Sequence, residues 1–449
     1  MEQMLTLDTA PLNGFHKRAA VYTTGGMFCD GYILGIIGIA LAILAPQMNL
    51  GPIWEGLIGS SALIGIFVGS LIFGWITDLI GRQKAYVIDL LVFIVGSILQ
   101  LFVTGPTELF VLRLIMGIAI GADYAIGASL LSEFLPKKER GTLLACLNAI
   151  WTVGFVVAII VGFIMQQFGE DDIWRWMLAS SAIPAIVVLF LRLGTPESPR
   201  WLIKQGRVEE ARKIVKDYIG PNVGIDDLLD ENGIKTNYLK IFSKKWRKRT
   251  AFGGLFWFCQ VAPYFALLTF EPEILKQLNI GEGFLGTLII NLFLLVGAAF
   301  GVWIMNKLPR RVFVIYSFAI LTLTLFVLGI WQTPPMIVII LCFGVYTFLT
   351  TAAGNLESVY PSEMFPTDIR STGVGFSAAV SRIGAATGTF LLPIGLSQIG
   401  LGPSLLIGAA ILLFGCIISI AWAPETRTLT LNEASSGSVI LSYDQNKEI

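Results

Sequence analysis

The chain turns apolar again and again, for about 20 residues at a time, which is the length a helix needs to cross the hydrocarbon core of a bilayer. Such stretches fall near 20–46, 55–77, 85–103, 107–131, 142–168 and 174–194, then near 250–275, 284–306, 311–331, 335–360, 369–396 and 401–422. In lipid every backbone polar group must be paired within the protein, so each stretch reads as a helix. Only 14% of the residues are charged, against about 25% in a soluble globular chain. The expectation is an all-α membrane protein with twelve transmembrane helices. A polar segment, 195–249, separates six stretches from six, which divides the chain into a half at 1–194, a cytoplasmic linker at 195–249 with one amphipathic helix, and a half at 250–449 that ends in a short tail.

The two halves repeat. SEFLPKKER at 132–140 and SEMFPTDIR at 362–370 share Ser, Glu, Pro and the final Arg at an offset of 230 residues (132 to 362). Pro196-Glu197 and Pro424-Glu425 recur at 228 (196 to 424). Two separate matches at nearly one offset imply two six-helix pseudo-repeats in the same orientation, an architecture that puts binding sites between the repeats at mid-membrane. Basic residues at 16–18, 82–84, 137–140, 244–249, 307–311 and 370 alternate with junctions that are almost free of Lys and Arg. The positive-inside rule then puts both termini in the cytoplasm. The N-terminus lacks the basic-then-apolar order of a cleaved signal, so the first stretch is expected to stay in the membrane.

Several chemistries are excluded. Net charge is zero, which offers nucleic acid no electrostatic footprint. The five cysteines are scattered with no C-x-x-C, and His16 is the sole histidine, so neither a zinc site nor a disulfide framework is expected. No hydrolase, metalloprotease or P-loop motif occurs, so the chain is read as neither an enzyme nor an ATP-driven pump, and no cofactor is expected.

Ionisable residues inside apolar stretches are functional candidates by default. Asp30 lies near the middle of the first stretch and Arg113 in the fourth. They are expected to form a proton-sensitive pair, since a carboxyl's protonation follows its cationic neighbour. The alternative is a static salt bridge. Asp123 follows Arg113 by ten residues, a rotation of about 80° short of three full turns, so the two project differently and need not pair. It reads as a second proton stop or as a hydrogen-bonding residue between helices. Arg382 offers a planar fork for a carboxylate or phosphate, or else pairs with Glu357. Gln260, Trp151 and Asn355, followed by Tyr264, Tyr124, Asn148 and Asn291, are candidate substrate contacts among apolar walls.

The motifs resemble the major facilitator superfamily, in its sugar-porter-like, metabolite:proton symporter branch. Gly74-x3-Asp78-x2-Gly81-Arg82 follows the second stretch. The fourth carries Arg113-x3-Gly117-x3-Gly121, then Glu133, Pro136 and Arg140; Trp174-Arg175 opens the sixth; Pro196-Glu197-Ser198-Pro199-Arg200 closes the half. Gln260 and Tyr264 stand where sugar porters usually carry paired Gln and paired Tyr. Asp123-Tyr124 is similar to proton-coupled phosphate porters and Arg382 to organic-ion and aromatic-acid carriers. The resemblance implies the major facilitator fold, Arg113 as the partner of Asp30, and a cytoplasmic gate of Gly74, Asp78, Gly81, Arg82, Glu133, Arg140, Glu363 and Arg370 with charge links across the halves. It also implies a secondary transporter acting as a monomer in the plasma membrane, importing a small organic anion with protons by alternating access. A sugar or polyol uniporter or symporter is the alternative. A non-transporting nutrient sensor would be expected to carry a longer tail than 424–449.

Overall fold

The structure is a computed structural model of the chain and describes residues 5–7, 9–169, 172–225, 238–278, 284–305, 307–331, 333–365 and 369–426. It is a helical membrane protein. The helices are α1 (Gly14–Gln47), α2 (Pro52–Ile80), α3 (Arg82–Leu99), α4 (Pro106–Phe134), α5 (Lys137–Gln166) and α6 (Ile173–Arg192, broken at Ser180 and Ser181). Two short helices follow, α7 (Pro199–Lys204) and α8 (Val208–Ile214). Then come α9 (Arg247–Thr269), α10 (Glu271–Gln277), α11 (Phe284–Met305), α12 (Arg310–Ile330), α13 (Met336–Met364), α14 (Arg370–Gln398) and α15 (Leu401–Trp422). Among the described residues ten helices are long and apolar enough to cross a bilayer. The other two expected spans are continuous helices of 29 residues (α4) and 22 residues (α11), so the helix order matches the twelve-span reading.

Two compact units divide the chain, residues 1–50 with 61–233 and residues 51–60 with 234–449. Each is built on one close helix pair, α1 with α5 in the first and α9 with α14 in the second. Without a hydrophobic drive between helices in lipid, close approach depends on small residues. A Cβ added to Gly154 would stand 2.1 Å from the Phe28 carbonyl oxygen, and one added to Gly384 would stand 3.0 Å from that of Phe258. Both partners of this contact recur 230 residues later (154 to 384, 28 to 258), the offset seen in the sequence.

The polar repeat folds the same way in each unit. The Glu197 carboxylate accepts from the backbone N–H groups of Arg82 (3.0 Å) and Gln83 (3.2 Å), which cap the start of α3. Glu425 accepts from Arg310 (3.0 Å) and Arg311 (3.1 Å) at the start of α12. A carboxylate there meets free N–H groups and the positive end of the helix dipole. Arg82 bridges Glu133 at 3.4 Å, and Arg310 bridges Glu363 at 3.4 Å. Gly81 sits at φ 102°, and a Cβ on it would strike the Glu197 carboxylate at 2.3 Å, which explains glycine before Arg82.

As far as it is described, the first part of the linker packs on the first unit. Trp201, Leu202, Ala211 and Val215 are buried against Leu130 and Phe134 of α4. Leu5 pairs with Val223 as an isolated parallel bridge, and the Asn13 amide donates to the Tyr218 and Ile219 carbonyls. The single histidine completes a capping box: Asn13 caps α1, and His16 Nδ1 accepts from the Asn13 backbone N–H. The apolar stripe of the linker helices finds a protein surface here, so nothing requires lipid to cover it.

Two stability predictions follow from the repeat. Glu197→Ala and Glu425→Ala are each expected to destabilise the protein by about 1 kcal/mol, because each uncaps a helix in the same way. Thermal unfolding in detergent checks this, and a loss from only one of the two would deny that the caps are equivalent. Gly154→Val forces α1 and α5 apart and is expected to cost about 1–3 kcal/mol or more, read as a lower midpoint in the same assay.

Candidate functional site

The first unit gathers its ionisable side chains on α1, α3, α4 and α6. Asp30 is 0% exposed, Asp89 2%, Asp123 1% and Arg192 0%. A charge in such a place costs several kcal/mol unless it is paired. The arrangement turns on Gly26. A Cβ there would stand 2.0 Å from the Tyr86 hydroxyl and 2.6 Å from Asp123 Oδ2, so the missing side chain on α1 admits both. The Tyr86 hydroxyl donates to the Thr23 carbonyl at 3.2 Å. Asp123 is a close neighbour of Asp30 and of Tyr86. Two neighbouring buried carboxyls can share a site at low cost only if one of them holds a proton, which is the chemistry a proton site needs. Asp89 lies within electrostatic range of Asp123 and Arg192. The Arg192 guanidinium sits 2.9 Å from the Tyr86 ring centroid and 5.1 Å from that of Tyr22.

This corrects the expected pairing of Asp30 with Arg113. Arg113 is buried, but its guanidinium donates to the Ile33 carbonyl at 3.3 Å, and its Nε and Nη1 have no hydrogen-bond partner among the described residues. Both α4 residues reach α1, Arg113 at the Ile33 carbonyl and Asp123 beside Gly26, and Asp123 rather than Arg113 is the neighbour of Asp30 in this structure. Asp89 and Arg192 were not singled out from the sequence. Both lie in apolar stretches, and the rule that flagged Asp30 applies to them equally.

In the second unit a polar set lines α9, α11, α13 and α14. Gln260 is buried and donates to the Thr350 carbonyl at 3.5 Å. Tyr264 contacts Thr351 by hydrogen bond and Phe265 edge-on. Asn355 donates to Ala352 in its own helix, and its amide fills the space beside Gly301. Asn291 donates to the buried Glu271 carboxylate at 3.3 and 3.4 Å, a further acid that went unnoticed in the sequence. Glu357 lies within electrostatic range of Arg382 and near the Trp257 indole.

Of the remaining candidates, Trp151 is buried and stacked on Phe155 at 5.6 Å, Asn148 is exposed one turn earlier on α5, and Tyr124 is half-buried beside Asp123 on α4. Among the gate residues, the ion pairs of Arg82 and Arg310 lie inside a unit, whereas links between halves were expected. Arg370 donates to the Phe365 carbonyl at 3.2 Å. The positions of Gly74 and of the side chains of Asp78 and Arg140 lie outside the described residues, as does Asn306.

Comparison with known proteins matches this geometry to a family. The profile of the sugar (and other) transporter family matches residues 19–437. The chain is 43% identical over 435 residues to the inner membrane metabolite transport protein YgcS of Escherichia coli K12, covering 96% of both. It is 28% identical to the arabinose-proton symporter of Bacillus subtilis 168 over 422 residues, 90% of each chain. The partially occluded inward-open structure of the xylose transporter XylE from E. coli superposes with a TM-score of 0.81 at 21% identity, over 93% of this chain and 100% of that one, which shows the shared fold. A helical membrane chain with two matching six-helix repeats, matched by that profile over nearly its whole length, belongs to the sugar (and other) transporter family of the major facilitator superfamily.

Proposed function

We propose that this chain moves a small polar metabolite across the membrane together with protons, by alternating access. The observation that carries the proposal is the buried contact of Asp30 with Asp123 beside Tyr86. With one proton the two carboxyls attract through a hydrogen bond. Without it, two buried carboxylates repel in a medium of low dielectric. The proton therefore biases the α1–α4 contact between two arrangements, which is what coupling to a conformational change requires. Arg113, held on the Ile33 carbonyl and adjacent in the bundle, is a second group that could engage a carboxylate or cargo as α1 and α4 shift.

The cargo reading rests on the second unit. Arg382 suits an organic anion through its fork of donors, and Glu357 balances it when no cargo is bound. Gln260, Asn355, Tyr264 and Asn291 there would supply neutral contacts, and Trp151, Tyr124 and Asn148 are the corresponding candidates within the first unit. A sugar or polyol is the second reading, favoured by that same Glu357: an arginine already neutralised leaves less attraction for an anion. The basic loops support a plasma-membrane chain with both termini cytoplasmic, and nothing in the site calls for a second copy.

Two experiments test this. A one-unit pH gradient supports about tenfold accumulation of a neutral cargo carried with one proton. In reconstituted vesicles Asp30→Asn and Asp123→Asn are each expected to bring accumulation down to equality, while exchange of cargo across the membrane persists. Accumulation still driven by the gradient in Asp30→Asn would remove the proton site. For the cargo class, Arg382→Gln is expected to weaken competition by small carboxylates by about tenfold or more. Competition by sugars that falls as far, with carboxylates inert throughout, would transfer the proposal to the neutral cargo.

A further inference from the structure

Arg192 is a buried cation without ordinary partners. Its Nε, Nη1 and Nη2 have no hydrogen-bond partner among the described residues, and it is 0% exposed. Cation–π contacts with Tyr86 and Tyr22 hold it instead. Such contacts offset only part of what it costs to bury an ion. The remainder must come from nearby anions, and Asp89 and Asp123 are in range. Tyr86 joins the two halves of the arrangement, with its ring under the guanidinium and its hydroxyl beside Asp123.

We propose that Arg192 is the resident counter-charge of the Asp30–Asp123 proton site, the role that the family resemblance implies for Arg113. The inference rests on the proton-coupled reading and names the residue that sets the pH at which the site works. Among the described residues, α1 brings Cys29 to the carboxyl pair and Tyr22 to the guanidinium, with Arg18 in range of Tyr22; α3 brings Tyr86 and Asp89, α6 brings Arg192, and α4 carries Arg113 toward the Ile33 carbonyl. α5, also packed on α1, presents Trp151 and Phe155, and neither titrates. Asp89 and Asp123 lie in range of the guanidinium and Asp30 lies next to Asp123, so the three carboxyls cannot all ionise without a large buried net charge. Arg192 makes the deprotonated state accessible: with the cation beside it the pair can release its proton, and without it the proton is held more tightly.

The sign of the test follows. Arg192→Gln is expected to move the pH of half-maximal proton-driven uptake upward by about one unit or more, the size of shift a neighbouring opposite charge produces. Arg192→Lys keeps the charge and is expected to retain the wild-type midpoint. If the Gln variant does not reach the membrane, Arg192→Met, which keeps an apolar stem between the tyrosine rings, is read in its place. An unmoved midpoint in the neutral variant overturns the inference, and so does an equal shift in Arg192→Lys, which would mark a packing role. Asp30→Asn in the same vesicles separates the two claims. If it abolishes proton dependence while Arg192→Gln leaves the midpoint in place, only the counter-charge fails. If Asp30→Asn leaves proton dependence intact, the proton site is misassigned and both fail.

Discussion

A carboxyl inside a helix bundle has two affordable states: neutral with its proton, or charged beside a cation. The first unit is organised around that restriction. Asp30, Asp89 and Asp123 come from three helices, and Gly26 leaves the space on α1 that Tyr86 and Asp123 enter. One glycine on α1 therefore decides whether Asp123 and Tyr86 can approach that helix. The same crossing is kept tight by Gly31 and Gly154 against the α5 and α1 backbones, so the position of Asp30 is fixed by backbone contact rather than by adjustable side chains.

The charged residues at the helix ends work on a different principle. Arg82, Glu133 and Glu197 in the first unit and Arg310, Glu363 and Glu425 in the second make the same contacts: one carboxylate on a helix N-terminus, one on an arginine. Near water each ion pair contributes little by itself. What they fix is geometry. Each ties the start of one membrane helix to the segment that leaves another, so the order of helices around a unit is pinned at one end. The duplication of the contact set, and not merely of the letters, is the strongest sign that the two units are repeats of one plan.

Much of this was legible in the sequence because it depends on one-dimensional quantities. Helix length follows from bilayer thickness, and the 230-residue offset of the Ser-Glu-Pro-Arg motif reappears as the Gly154–Phe28 and Gly384–Phe258 contacts. The family followed from motifs in order along the whole chain. The partner of Asp30 was not legible. Arg113 and Asp123 both reach α1, at Ile33 and at Gly26, and which of them lies near Asp30 depends on how α4 packs, held at Gly117 and Gly121 against α2. Asp89 and Arg192 lie near the ends of their stretches, where a charge reads as a flank. Only burial on several sides made them part of the interior.

The way Arg192 is held bears on how a proton site can work at all. A guanidinium locked in a bidentate salt bridge spends its field on one carboxylate and fixes that group in the charged form. Arg192 is packed between aromatic faces, which accept a cation without offering a formal negative charge in return. Its positive field therefore remains available to whichever neighbouring carboxyl loses its proton. Arg113, by contrast, gives one donor to a backbone carbonyl in a neutral contact. Two buried arginines in one unit thus stand in different electrostatic conditions. The one surrounded by acids and rings has the surroundings of a counter-charge, and the one on a carbonyl has the surroundings of a group waiting for an anion.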